Sequence, residues 1–194
     1  VIPIIEHSDV KRMLLASKSY AEGSLALCLY CSKLVDEVDN VDSQKLLSLL
    51  TPVAKTFPAE FGLLANDLAI QVHGGYGYTR DFDVEQLYRD NRLNPIHEGT
   101  SGIQSLDLLG RKIIGDSGES LKIFTKRVVK TCDQAIQTSL KSDANYLLEV
   151  IENLERVCEI LINSKDSNTL ANSSAFLTGF GHIVVGWIWL DMAI

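Results

Sequence analysis

This 194-residue chain is poor in the residues that would assign it to several common classes. Its four cysteines, Cys28, Cys31, Cys132 and Cys158, are too few and too scattered for a disulfide framework. Cys28-Leu29-Tyr30-Cys31 has CxxC spacing, but no second pair follows and the flanks form an apolar helical stripe. Both thiols are therefore expected to be buried and structural, since a free cysteine packs as a small hydrophobe. Basic residues are the minority, 18 Lys and Arg against 25 Asp and Glu. A net charge of −7 lacks the basic face that a nucleic-acid partner demands. β-type alternation, internal repeats, low-complexity tracts and metal-ligand clusters are all missing, so the metal assignment is none. The start at Val1-Ile2-Pro3 carries no targeting pattern, which predicts a cytoplasmic, reducing setting. Both ends look cut, which predicts a piece of a longer polypeptide.

What is present is helical periodicity. From Asp9 to about Val35, the positions Val10, Met13, Leu14, Ser17, Ala21, Leu25, Cys28, Ser32 and Val35 share one face of a long helix, with Ser8 as its cap. Ser43 starts a second helix that the pattern breaks at Pro52 and again near Pro58. Ala59 to His73 resumes as a helix and stops at Gly74-Gly75, which supply positive φ without steric cost. Val84 to Leu93 is a short helix closed by Asn94-Pro95. A further helix opens after Glu98-Gly99, with Ser101-Gly102-Ile103-Gln104 as a capping box and Thr100 as the competing cap. Its inward side chains are expected to be Ile103, Leu106, Leu109 and Ile113. Gly115-Asp116-Ser117-Gly118 reads as a linker. Beyond it come helices over Leu121–Leu140, over Ala144–Ile162 (with Leu147, Val150, Ile151, Leu154, Val157, Cys158 and Leu161 inward), and from Leu170 to the end. The fold class is all-α, an antiparallel helical bundle over 1–114 followed by a smaller, truncated helical domain over 115–194. The last twenty residues are long and apolar enough to span a membrane, but His182 and Asp191 would be costly in lipid. A buried bundle helix is expected there, with no stable membrane insertion.

The chemistry concentrates in three short motifs. Gln71-Val72-His73-Gly74-Gly75-Tyr76-Gly77-Tyr78 precedes Tyr88-Arg89-Asp90, and His97-Glu98-Gly99-Thr100 follows. Glu98 sits at a Gly-flanked break immediately before a helix, where a side chain is held by a rigid element yet open to a ligand. That is a suitable place for a catalytic base. Arg89 and Asp90 are expected to form a structural ion pair that fixes the Glu98 loop, and His73 to be a packed or surface residue.

In order and spacing, these three motifs resemble the C-terminal helical domain of the acyl-CoA dehydrogenases over residues 1 to about 114. The remainder resembles the branch with an extra C-terminal helical domain, which includes enzymes of the methylmercaptopropionyl-CoA dehydrogenase type. The resemblance implies a flavoprotein of fatty acid metabolism that desaturates an acyl-CoA thioester between its α and β carbons. Glu98 would match the base that takes the α-proton while the β-hydrogen leaves as hydride to N5 of FAD. Glu98 and Gly99 would also bind substrate, through a backbone N–H on the thioester carbonyl that favours enolate character. Gln71, Val72, His73, Gly74 and Gly75 would contact FAD bound to a neighbouring subunit, and Thr100 the FAD of its own. Electron-transfer flavoprotein would be the electron acceptor, and a homodimer or homotetramer the assembly. The family's Gln two residues after that Thr is here Gly102, and its frequent Tyr before the base is His97. The fragment by itself is expected to lack turnover. The alternative is a non-catalytic helical interaction or oligomerisation module derived from the same fold.

Overall fold

The computed structural model describes all 194 residues, and every regular element in it is helical. Helix α1 runs over Ser8–Asp36 and α2 over Val41–His73. Then come α3 (Val84–Asn91), α4 (Ser101–Leu106, continuing as a π-helical stretch to Ile114), α5 (Glu119–Ala135), α6 (Lys141–Asn163) and α7 (Ser173–Ala193). The all-α expectation holds.

Helix α2 corrects the expected breaks at the prolines. It is one continuous helix of 33 residues with Pro52 and Pro58 inside it, capped by the Asn40 side chain accepting from the Ser43 N–H at 3.1 Å. Each interior proline costs about 3 kcal/mol in an isolated helix. Against that, Leu46, Leu49, Leu50, Val53 and Phe57 are all buried around the two prolines. Each such burial contributes about 1.5–3 kcal/mol, so tertiary packing outweighs the two lost hydrogen bonds.

Helix α1 has the expected length but buries a different face. Met13, Gly23, Ser24, Leu27, Cys31 and Leu34 point inward, while Leu25, Cys28, Ser32 and Val35 are exposed. Ser8 is its first residue and not its cap, and His7 precedes the first turn without a side-chain bond. The cause of the rotated face lies at Gly23. A Cβ there would stand 2.7 Å from Cγ1 of Val185 and 2.8 Å from Nε1 of Trp189. The smallest residues of α1 thus mark where α7 crosses it closely, and a reading that weights large apolar residues passes over them.

The CxxC expectation fails for one of its two thiols. Cys31 is buried and Cys28 is exposed, because the two sit on different sides of α1. Burial pushes the Cys31 thiol up to about 11 and Cys158 up to about 12, and it also raises Cys132 and Cys28. The thiolate is the reactive form, so raised values leave little of it at neutral pH. An aromatic disulfide reagent at pH 7.5 should label Cys28 first and leave Cys31, Cys132 and Cys158 protected. Because the folded state holds these protons more tightly, the stability they confer is present below pH 9 and is lost as the pH rises toward 11–12. Fast labelling of Cys31 or Cys158 would contradict this packing.

After the Glu98 break, the inward residues again differ from the expected set. Ile103 and Leu106 are exposed, whereas Ser105, Leu108, Leu109 and Ile113 are buried. The Ser105 hydroxyl lies 3.1 Å from Ser173 Oγ and 3.3 Å from Ser174 Oγ, so the end of α4 meets the first turn of α7 through small polar groups. The π-helical stretch that follows closes with the Gly115 N–H on the Gly110 carbonyl at 2.9 Å. In α6 the inward row is Leu147, Ile151, Leu154 and Cys158, with Val157 exposed.

A single hydrophobic core of 27 buried residues draws on α1, α2, the π-helical stretch, α5, α6 and α7. It therefore crosses the Gly115–Gly118 turn, where the Asp116 carboxylate accepts from the N–H groups of Gly118 and Ser120 and so starts α5. A polar tie reinforces the join. Arg127 of α5 donates to the Tyr30 hydroxyl at 3.0 Å and to Ser43 Oγ at 2.8 Å, linking α5 to α1 and α2. Helix α7 is long and apolar enough to cross a membrane, and half of its most apolar window is buried. Its Trp187 Nε1 donates to Thr131 Oγ1 at 3.0 Å, and Thr131 donates to the Asp191 carboxylate at 3.0 Å. Here it serves as a bundle helix.

Candidate functional site

The distal half of α2 leaves the core. From Phe61 to Val72 none of its side chains is fully buried, although Leu63, Leu64, Leu68, Ile70 and Val72 are apolar. At its end Gly74 adopts φ +62° and the chain enters a 3₁₀ turn over Gly74–Tyr78. A Cβ on Gly77 would lie 2.5 Å from the Ile70 carbonyl oxygen, so this turn folds tightly back on α2 only with glycine there. Phe82 packs against His73 (ring centroids 5.4 Å apart) and Tyr76 (5.9 Å), and the Thr79 hydroxyl donates to the Tyr76 carbonyl at 3.0 Å and to Asp81 at 2.9 Å.

The Glu98 loop is clamped from both sides. Upstream, Lys55 of α2 donates to the Asn94 carbonyl at 2.9 Å. An asparagine relay adds to this, Asn94 Nδ2 to Asn91 Oδ1 at 2.5 Å and Asn91 Nδ2 to Asn66 Oδ1 at 2.7 Å. Downstream, Ser101 Oγ donates to the Glu60 carboxylate, and Gln104 Nε2 donates to the Glu98 carbonyl at 3.2 Å. Between the clamps, Glu98 has φ +53° and Gly99 φ +91°. A left-handed conformation on a non-glycine residue costs on the order of 1–3 kcal/mol and persists only when its surroundings over-determine it. The Glu98 carboxylate is exposed and makes no hydrogen bond or ion pair.

The other residues singled out from the sequence fall as follows. Gln71, Gly74, Gly75 and Thr100 are exposed, and Val72 is half-buried. Apart from the adjoining backbone, nothing in the chain comes within 4 Å of where a Cβ on Gly74 or Gly75 would stand, so the backbone there is open to approach from outside. His73, expected as a packed or surface residue, is exposed, with Nδ1 2.7 Å from the Ala69 carbonyl and its ring against Phe82. The expected Arg89–Asp90 ion pair is absent, since neither residue takes part in any salt bridge. The clamp uses neutral amides and Lys55 instead. It went unseen in the sequence because Lys55, Asn66 and Asn91 are brought together by helix packing and follow no local spacing. Nor is there a capping box, because Ser101 turns to Glu60 and Gln104 reaches the Glu98 carbonyl.

Residues 2–114 match the family described as "Acyl-CoA dehydrogenase, C-terminal domain", and residues 124–194 match "Acetyl-CoA dehydrogenase C-terminal like". The chain belongs to the acyl-CoA dehydrogenase family. Among curated relatives it is 32% identical to 3-methylmercaptopropionyl-CoA dehydrogenase of Ruegeria pomeroyi, over 96% of this chain and 34% of that protein. It is 29% identical to the broad-specificity linear acyl-CoA dehydrogenase FadE5 of Mycobacterium tuberculosis, again over 96% of the chain and 34% of the relative. The chain thus spans about a third of the length of these relatives. The same fold occurs in Caenorhabditis elegans ACDH-11, crystallised in complex with C11-CoA, with a TM-score of 0.85 at 23% identity, covering 94% of this chain and 32% of that one.

Proposed function

We propose that the whole protein carrying this chain is an FAD-dependent acyl-CoA dehydrogenase that desaturates an acyl-CoA thioester between Cα and Cβ, with Glu98 as the base. The observation that carries this reading is an unpartnered carboxylate held on a clamped, doubly left-handed turn in a chain of this family. Glu98 takes the α-proton onto a carboxylate oxygen. Its backbone N–H makes no hydrogen bond within the chain and is free to donate to the thioester carbonyl. That contact stabilises the negative charge growing on the carbonyl oxygen as the proton leaves. Bound FAD supplies the acceptor for the β-hydrogen as hydride.

The residues present fit such a cofactor. Gln71 offers a free amide, Gly74 and Gly75 an open backbone, and Thr100 a hydroxyl with no partner in the chain. We assign the Gln71–Gly75 stretch to FAD of a neighbouring subunit, which makes the active assembly a dimer or tetramer, and Thr100 to FAD of the same subunit. Electron-transfer flavoprotein is the proposed acceptor. Since Glu98 is exposed in this chain, the desolvation that would strengthen it as a base has to come from the rest of the subunit.

Turnover tests the reading. The whole protein with FAD, straight-chain acyl-CoAs and an artificial electron acceptor should reduce the acceptor continuously, while the 194-residue chain should not. Sustained reduction by the isolated chain would refute the division of labour. A whole protein with no flavin absorbance would favour the non-catalytic helical module instead.

A further inference from the structure

Resting on the reading of Glu98 as base, we propose that Gln104 is its positioning residue: the Gln104 amide holds the Glu98 carbonyl and thereby the backbone turn that presents the carboxylate. Gln104 Nε2 stands 3.2 Å from the Glu98 carbonyl oxygen. The same nitrogen lies 2.8 Å from where a Cβ on Gly99 would be. Gly99 therefore does two things. It permits the left-handed bend at φ +91°, and it leaves the opening through which Gln104 reaches back over the turn.

The consequence follows from backbone geometry. The Glu98–Gly99 peptide plane is fixed by its carbonyl, and the preceding plane carries the Glu98 N–H. The two planes meet at the Glu98 Cα and are related by its φ and ψ together, and φ sits at +53° against the ordinary preference of a residue with a Cβ. No other side chain donates to that carbonyl. Without the Gln104 donor that peptide is free to rotate, which changes ψ of Glu98 and φ of Gly99 together, so the left-handed turn comes apart and the carboxylate moves relative to the substrate. Displacements of about 1 Å at a reacting group lower rates by on the order of 10²-fold.

Two variants of the whole protein separate positioning from mere structure. Q104M keeps the length and volume but has no donor, whereas Q104K keeps a donor. In Q104M, kcat should fall by on the order of 10–10²-fold with KM, flavin content and melting midpoint unchanged. A crystal structure of Q104M should show Glu98 outside the left-handed region, and Q104K should restore the turn and most of the rate. The proposal is overturned if Q104M keeps the parent left-handed Glu98–Gly99 turn with the Glu98 carbonyl in its parent orientation, if its kcat stays within about twofold of the parent, or if the rate is lost only together with flavin or stability. Glu98→Gln run alongside keeps the two ideas apart. If that variant stays active the base reading fails, and if it is inactive while Q104M is normal only the positioning role fails. Should no acyl-CoA be turned over at all, the backbone of Glu98 in the Q104M crystal still decides the point.

Discussion

Glu98→Gln in the whole protein should lower acyl-CoA dehydrogenation by on the order of 10²–10⁴-fold while the flavin absorbance stays in place. The substitution changes one thing. Glutamine has nearly the same shape and tolerates the same backbone conformation, but its amide cannot take up the α-proton. The backbone N–H proposed to hold the thioester carbonyl survives, so substrate binding should persist and the loss should fall in kcat. Stability should not change, because the Glu98 carboxylate is exposed and has no partner in the chain to lose. Steady-state rates with saturating acyl-CoA, measured beside the visible spectrum of the bound flavin, provide the check. A variant within about tenfold of the parent rate would place the base on another residue.

Phe124→Ala should unfold the chain at a much lower temperature, and it should do so in one step. Phe124 is completely buried in α5, with Phe180 at 5.2 Å and Trp187 at 5.5 Å between ring centroids. Truncating such a ring costs about 3–5 kcal/mol, from lost transfer energy and the cavity left behind. For a chain of this size that corresponds to a drop of roughly 6–20 °C in melting midpoint. The single step follows from the shared core, since Phe124 belongs to the same buried cluster as Leu34 of α1 and Leu49 of α2. The chain supplies its own two probes. Both tryptophans lie in α7, while α1 and α2 contribute 29 and 33 helical residues to far-ultraviolet dichroism. Coincident melts by fluorescence and dichroism are expected, and a tryptophan transition well below the dichroism transition would show two independently folding units.

Much of this molecule was legible one residue at a time. Helical spacing located most of the long segments, Gly74 marked the end of α2, and the three motifs between Gln71 and Thr100 identified the family, because these signals act within a few residues of chain. Other features depend on partners far away in sequence. Pro52 and Pro58 stay within one helix because buried neighbours outweigh two missing N–H groups. The inward face of α1 is set by Gly23 meeting Val185 and Trp189, 162 and 166 positions further on. The ion pair expected of Arg89 and Asp90 is replaced by Lys55, Asn66 and Asn91 because only folding places α2 beside the Asn94 turn. The sequence alone therefore determined that the chain is built of helices, that α2 ends at Gly74, and which carboxylate stands at the break. Burial and hydrogen bonding are sums over non-local neighbours, so the tertiary structure alone decided which faces pack and how that carboxylate is held.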